Sequence, residues 1–408
     1  MKKMLKILFI GLALFITLNL SGCNDGVEPS GPYTVTFVDI EGNVIDEFNC
    51  DGVSSCNIIT PDKPANVGER YFTRWSVWES DYSEIKEDTI IKPIYTYDNH
   101  LVSVGTFTVY FYAFFIMTGM FVALGLGLRE SKRVGLKKDD LIDGFLWIVP
   151  VAILGARLWY VVFELDQFIG GGFFPSLLRI LGFSNGVLDF GDFGLSGLAI
   201  HGAFVVALIC TLIFTKKRKI DIFKVIDIIA IGFIIAQAFG RWGNFFNQEA
   251  HGGIVGGATD GVMNLSLEQQ YDYLRNTLHI PEFIVNNMYI KQGLNGFGRE
   301  PFTGYYHPTF FYESMINLIG FGVMLVLRRW KNLHYGELLS VYLIWYGANR
   351  IFIETMRTDP LVFDFLGMQI KSAIATSVVM ILGGIALSVF IRLTRKDKTY
   401  ATSENTWF

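Results

Sequence analysis

Seven long apolar segments, at roughly residues 104–128, 141–163, 196–215, 222–240, 308–327, 337–354 and 372–393, constrain this chain more than any other feature. Each approaches the ~20 residues that a helix needs to cross about 30 Å of hydrocarbon. In that medium a helical span satisfies its own backbone polar groups, so the segments are read as helices. Composition agrees: 51% of the 408 residues are hydrophobic and 36 are Phe, and the mean hydropathy is +0.38. A net charge of −4, with no basic stripe interleaved with aromatics, gives no reason to expect a nucleic-acid partner. The expected fold class is a polytopic all-α membrane protein with seven transmembrane helices.

The placement of Lys and Arg sets the direction of these spans. Arg129, Lys132, Arg133, Lys137 and Lys138 follow the first, Lys216 to Lys219 the third, Arg328, Arg329 and Lys331 the fifth, and Arg392, Arg395, Lys396 and Lys398 the seventh. Every second connection is therefore basic, which marks the cytoplasmic side. The expected topology is N-out, C-in, with a transmembrane domain over 101–395 and a cytoplasmic tail over 396–408. Connections 164–195, 241–307 and 355–371 then lie outside. The first of these carries Glu164, Asp166, Asp189 and Asp192 against a single Arg179. In the second, Leu267, Leu274, Leu278, Phe283, Ile284 and Met288 suggest short amphipathic helices.

The N-terminus reads differently. Lys2, Lys3 and Lys6 precede an apolar run from Ile7 to Leu18 and then Leu20-Ser21-Gly22-Cys23, the pattern of a secretory signal peptide over 1–22. Its last four residues resemble a lipobox, in which the cysteine thiol is lipidated; the competing reading is a simple anchor helix with an incidental cysteine. Residues 23–100 are expected to form a lipid-anchored extracellular β-rich module (33–97) with a linker. Tyr33 to Val38 alternates at strand period, Glu41-Gly42-Asn43 reads as a turn, and Val44-Ile45 resumes the strand. With Arg74-Trp75 and Ile90 to Tyr95, the module resembles a single copy of the internalin B-repeat type. The four cysteines, 23, 50, 56 and 210, have no zinc-type spacing, so no metal site is expected. Cys50 and Cys56 stand where a disulfide would persist, either bridged or free.

Polar residues fall on one side of this topology. Tyr112, Arg157, His201, Arg241, Asn244, Glu249, His307, Tyr312, Glu313, Tyr346, Arg350 and Glu354 all map to the outer-leaflet ends of their segments. Ionisable groups at membrane depth are costly and mark function by default. A transporter would carry such groups through the midplane as well. The structural alternatives are that Arg157 and Arg350 snorkel, that Glu313 and Glu354 only neutralise neighbouring arginines, and that His307, beside Pro308, merely starts a helix. His201 is followed by Gly202, which is read as letting a ligand approach the backbone.

Gly240-Arg-Trp-Gly-Asn-Phe-Phe-Asn-Gln-Glu249-Ala-His-Gly252 resembles, at every fixed position, the signature of prolipoprotein diacylglyceryl transferases. Gly155-Ala-Arg157-Leu, Ile200-His201-Gly202, His307-Pro-Thr to Tyr312-Glu313, and Tyr346-Gly347 with Arg350, Glu354 and Arg357 extend the likeness over residues 104–393. Ala113 and Ala203 stand where that family often has Gly. The resemblance implies a seven-helix, N-out enzyme of the cell membrane with its active site on the extracellular face. Its substrates would be phosphatidylglycerol and prolipoprotein signal peptides bearing a lipobox, it would form a thioether and release glycerol phosphate, and it would use no cofactor. Carried over by position, His201, Arg241 and Arg350 are the expected catalytic groups. Tyr112, Arg157, Asn244, Glu249, Gly252, His307, Tyr346 and Glu354 would bind substrate, and Cys23 would itself be lipidated. Two guanidiniums suit the charge that grows on a departing phosphate, and a base near the thiol would supply the thiolate. His201 is the expected base, and Glu249 and Glu354 are expected to orient the arginines. A non-catalytic surface lipoprotein anchored by the same membrane fold, or a lipid or solute transporter, is the alternative.

Overall fold

A computed structural model describes residues 32–52, 56–68, 70–104, 107–183, 185–187, 197–292, 301–357, 362–365, 368–395 and 399–400. The leader, Cys23, Asp189, Asp192 and most of the C-terminal tail lie outside the described residues. The chain divides into two compact units, Met1–Thr96 and Tyr97–Phe408.

In the first unit, β1 (Tyr33–Val38) pairs antiparallel with β2 (Val44–Cys50) and parallel with β4 (Thr89–Ile91). β3 (Phe72–Trp75) pairs with β5 (Pro93–Tyr95). The turn between β1 and β2 is the expected one. Gly42 there has φ +93°, and the Asp39 carboxylate accepts from the Asn43 side chain and from the Asn43 and Glu41 N–H groups. Those bonds, led by the Asn43 amide, hold the Asp39 carboxyl below its ordinary value. The strand alternation sends Tyr33, Val35 and Phe37 inward onto Trp75, Tyr82 and Ile91. Cys50 and Cys56 are joined in a disulfide.

The second unit is helical, with six helices among the described residues long and apolar enough to cross a membrane. They are α1 (Phe111–Arg133), α2 (Lys138–Phe163), α3 (Ile200–Arg218), α4 (Ile222–Phe246), α5 (Thr309–Leu327) and α7 (Ser372–Thr394). Between the last two lies a 20-residue helix, α6 (Glu337–Met356). It carries Glu337, Arg350 and Glu354 and packs against α7, α5 and α4.

Two segment boundaries differ from the sequence expectation. The first apolar segment opens as a hairpin, β6 (His100–Val104) with β7 (Phe107–Tyr110), and turns helical only at Phe111; its β-branched and aromatic residues favour strand there. The fourth does not end at Gly240, because α4 runs on through Phe246. Its last turns are held helical by ring stacking, with Phe246 4.0 Å from Phe111 and 5.8 Å from Phe115, both on α1.

Small residues set the closest helix contacts, as expected where backbones must approach within a membrane. A Cβ at Gly155 of α2 would sit 2.5 Å from Val206, and one at Gly202 of α3 2.3 Å from Trp159. Gly202 is thus packed against α2, which corrects its expected use as a place of ligand approach.

At the basic ends five arginines are held in ion pairs. Arg133 and Arg328 pair with Glu130, Arg218 bonds Asp140 and Asp143, and Arg392 and Arg395 bond Glu337 and Asp221. The buried Asp227 accepts from the N–H groups of Gly336 and Leu339 and from the Tyr400 hydroxyl. The α4–α5 connection has its own structure, as its apolar spacing foretold. One short helix, Leu267–Asp272, begins in a Ser266/Gln269 capping box, and a second spans Glu282–Asn287. Leu274, Ile284 and Met288 are buried, while Leu278 and Phe283 stay exposed.

Candidate active site

Two ion pairs sit at the end of the helices opposite the basic cluster. One turn into α5, Glu313 is buried, with a side-chain exposure of only 2%, and its Oε1 accepts from Arg241 Nη2 at 2.7 Å. A second guanidinium nitrogen of Arg241 donates to Asn244 Oδ1 at 3.3 Å. On α6, Arg350 and Glu354 approach to 2.9 Å one turn apart. Tyr346, one turn before Arg350 on α6, lies within electrostatic reach of both Arg241 and Arg350. Tyr346 stacks on Tyr342, which receives a bond from Gln237, one turn of α4 below Arg241.

The signature backbone leaves α4 in an unusual shape. Gln248 and Ala250 both have positive φ, +50° and +55°, a conformation disfavoured for residues with a Cβ. The two reversals present Glu249 between them, and its Oε1 accepts from Asn244 at 2.8 Å and Asn247 at 3.3 Å. Surrounding bonds hold the turn in place. Gln248 donates to the carbonyls of Asn287 and Tyr289, and Thr309 Oγ1 donates to the Ala250 carbonyl.

Gly252 closes the site. Its N–H donates to the His307 carbonyl and it bridges to Arg357, while Gly253 N–H donates to the Met356 carbonyl. The exit of α4, the start of α5 and the end of α6 therefore meet at this point. A Cβ here would stand 2.9 Å from side-chain atoms of both His307 and Thr309 and 3.1 Å from the Met356 carbonyl. The His307 ring lies beside the Tyr312 hydroxyl at 3.3 Å, and burial pushes its pKa below the ordinary value.

Tyr112 at the start of α1 packs its ring against Gly243 and lies within electrostatic reach of Glu249 and Arg241. The candidates on α1, α4, α5 and α6 thus form one cluster. Arg157 is differently employed: its guanidinium donates to the carbonyls of Ile180, Arg179 and Gly197 and lies over the Phe168 ring. It holds the α2–α3 connection. His201 is exposed in the first turn of α3 and has no hydrogen bond or ion pair among the described residues.

A sequence model of the prolipoprotein diacylglyceryl transferases matches residues 99–390, which includes every element that contributes to the cluster. The chain belongs to that family. A phosphatidylglycerol–prolipoprotein diacylglyceryl transferase of Bacillus cereus (strain G9842) is 39% identical over 308 residues, 76% of this chain and 97% of the relative. Relatives of the same description from Bacillus thuringiensis subsp. konkukian (strain 97-27) and Bacillus anthracis match to the same identity and extent. The unit Met1–Thr96 precedes the region matched to the diacylglyceryl transferase family.

Within the family signature, one orienting role shifts from the sequence expectation. Glu249 reaches Arg241 only through Asn244, whereas Glu313 bonds Arg241 directly. Glu313 was legible only as a possible neutraliser of a neighbouring arginine, since nothing in spacing connects positions 72 residues apart. The contortion at Gln248 and Ala250 gave no signal at all, neither residue being Gly or Asn.

Proposed function

We propose that this multi-pass membrane protein transfers a diacylglyceryl group from phosphatidylglycerol to a cysteine thiol of prolipoproteins. The observation that carries this reading is the pair of arginines on adjoining helices, Arg241 braced by Glu313 and Asn244, and Arg350 by Glu354, with Tyr346 between them. The curated relatives bear that activity in their names and align over most of the chain.

The sulfur attacks the glycerol carbon that carries the phosphate. A C–S bond forms, the C–O bond breaks, and glycerol phosphate departs with the electron pair. Charge grows on the departing phosphate, where a guanidinium gains most because it donates in pairs and stays ionised when desolvated. Each arginine keeps N–H donors beyond those its carboxylate occupies. Asn244 and Tyr112 bind glycerol and phosphate oxygens, and Glu249 fixes the rotamer of Asn244. Tyr346 and Glu354 hold the two arginines in register, and Gly252 and His307 hold the three chain segments around the phosphate. Arg157 supports the substrate side through the α2–α3 connection. His201 takes the thiol proton, its exposure leaving it free to meet an incoming peptide.

All seven long helices span the bilayer, N-out and C-in, which places the cluster and the β-rich module on the extracellular face. The basic ends, with their fixed ion pairs, are cytoplasmic. The thiol substrate is the lipobox cysteine of a signal peptide held in the same bilayer. Because this chain carries Leu20-Ser21-Gly22-Cys23 itself, Cys23 is a substrate too: the leader 1–22 is removed, and the β-rich module is tethered by lipid as well as by α1. The test is glycerol phosphate release from phosphatidylglycerol vesicles holding the purified protein. With Cys23→Ser in the protein to remove its own acceptor, release that requires a lipobox peptide and stops when the peptide cysteine is replaced by serine supports the transfer, and release independent of peptide contradicts it.

A further inference from the structure

Beneath the arginine pair lies a second polar layer. Gln237 stands one turn before Arg241 on α4, and Tyr342 one turn before Tyr346 on α6. Gln237 Nε2 donates to the Tyr342 hydroxyl at 2.9 Å. Residues four apart share one face of a helix, one above the other. The bond at the lower turn therefore sets the phase of α4 against α6, and the next turn carries Arg241 and Tyr346 on those same faces. Tyr346 lies flat against Tyr342, with ring centroids 5.8 Å apart and planes 9° from parallel.

Packing alone does not call for this layer. Tyr342 is 6% exposed and also rests near the Phe233 ring, with centroids 6.1 Å apart. Apolar side chains would fill the same space without placing an amide and a hydroxyl at membrane depth, where polar groups are costly. That cost is not fully met, because Gln237 Oε1 is buried with no hydrogen-bond partner among the described residues. Buried polar groups left in this state call for a reason outside packing.

On its other side α6 is seated on α7. A Cβ at Gly347 would stand 2.8 Å from the Ile381 side chain and from the Ser377 carbonyl, and one at Gly384 of α7 2.9 Å from the Ser340 carbonyl. Those contacts fix how near α6 lies to α7, whereas the Gln237–Tyr342 bond fixes how α6 faces α4. The consequence falls on Tyr346, which lies within electrostatic reach of Glu313, Arg241 and Arg350.

We propose that Gln237 and Tyr342 are positioning residues of the transfer, holding the plane of Tyr346 and thereby the facing of Arg241 and Arg350. This rests on the transferase reading, in which both arginines meet the departing phosphate. Neither side chain needs to touch substrate. A misplacement of about 1 Å at a catalytic group costs rate out of proportion to its effect on binding.

Two measurements test this with near-isosteric variants that keep the packing, Gln237→Met and Tyr342→Phe. The first is steady-state transfer from phosphatidylglycerol vesicles to a lipobox peptide, alongside thermal unfolding of each variant in detergent. Each variant is expected to lower kcat about three- to tenfold, with lipid and peptide KM within about twofold of native and no fall in melting temperature. The double variant should lose no more than the more impaired single one, because both substitutions remove one interaction. Unchanged kcat in both variants, a loss that tracks a lowered melting temperature, or losses that multiply in the double variant would overturn the inference. The second places fluorotyrosine at position 346 and reads its fluorine resonance. One narrow line is expected in the native background, shifted or split in both variants. That result supports the coupling of the pair to Tyr346 even if no transfer is seen, in which case the transferase reading alone fails. An identical line in native and variant proteins would overturn it.

Discussion

Arg241 is the residue on which most of the site depends, and its bonds make separable predictions. Arg241→Lys keeps a charge opposite Glu313 but loses the planar fork, so the protein should fold while transfer falls by about 10² to 10³, the usual effect of removing one transition-state donor. Glu313→Gln strands a largely buried guanidinium, and breaking such a pair typically costs about 3–5 kcal/mol; thermal unfolding in detergent measures it. Ala250→Gly relieves a left-handed backbone, and a gain of about 1 kcal/mol is expected, partly offset by the looser unfolded chain. His307 carries a pH dependence. Its folded pKa lies below the ordinary 6.5, so between those two values the unfolded state binds more protons and stability falls as pH falls. The decline begins near pH 6.5 and levels off below the folded value. His307→Gln should flatten that acid limb in melting curves between pH 5 and 8.

Among elements, α4 shows how far a sequence reveals its own geometry. Its apolar content marked a span, which the structure keeps as a helix long and apolar enough to cross a membrane, and its polar end marked a candidate site, where the structure brings Arg241, Asn244 and Glu249 together. Its end point was misplaced by about two turns, because what continues the helix past Gly240 is ring stacking from Phe111 and Phe115 on another helix, invisible to local pattern. The same limit explains Glu313 and Arg157, whose partners lie far along the chain or are backbone carbonyls. Gly252 was legible as part of a motif but not as the point where three chain segments cross. Gly252→Ala should therefore act through packing, costing about 1–3 kcal/mol. Loss of transfer should track loss of folded protein in a thermal shift, and not a change in phosphate affinity.

At the scale of the whole molecule, hydropathy and charge placement read out most of the architecture: a β-rich unit, then a helical unit with the Arg241 and Arg350 pairs toward one end and the paired Arg133, Arg218, Arg328, Arg392 and Arg395 toward the other. Hydropathy counted 337–354 as a span like the other six, but among the described residues the helix it forms, α6, is not one of those apolar enough to cross a membrane, because it trades hydropathy for Glu337, Arg350 and Glu354. That exchange puts half of the arginine pair on α6, so the long helix that falls short of a membrane span is also a principal carrier of the candidate site. The most direct test of the transfer is mass spectrometry of a lipobox peptide after incubation with the purified protein and phosphatidylglycerol. A diacylglyceryl mass increment on the peptide cysteine, present with the native chain and reduced by about 10² to 10³ in a folded Arg241→Lys or Arg350→Lys protein, is the expected result. An unmodified peptide under conditions where both lipid and peptide bind the native chain, or an adduct undiminished by both substitutions, would contradict it.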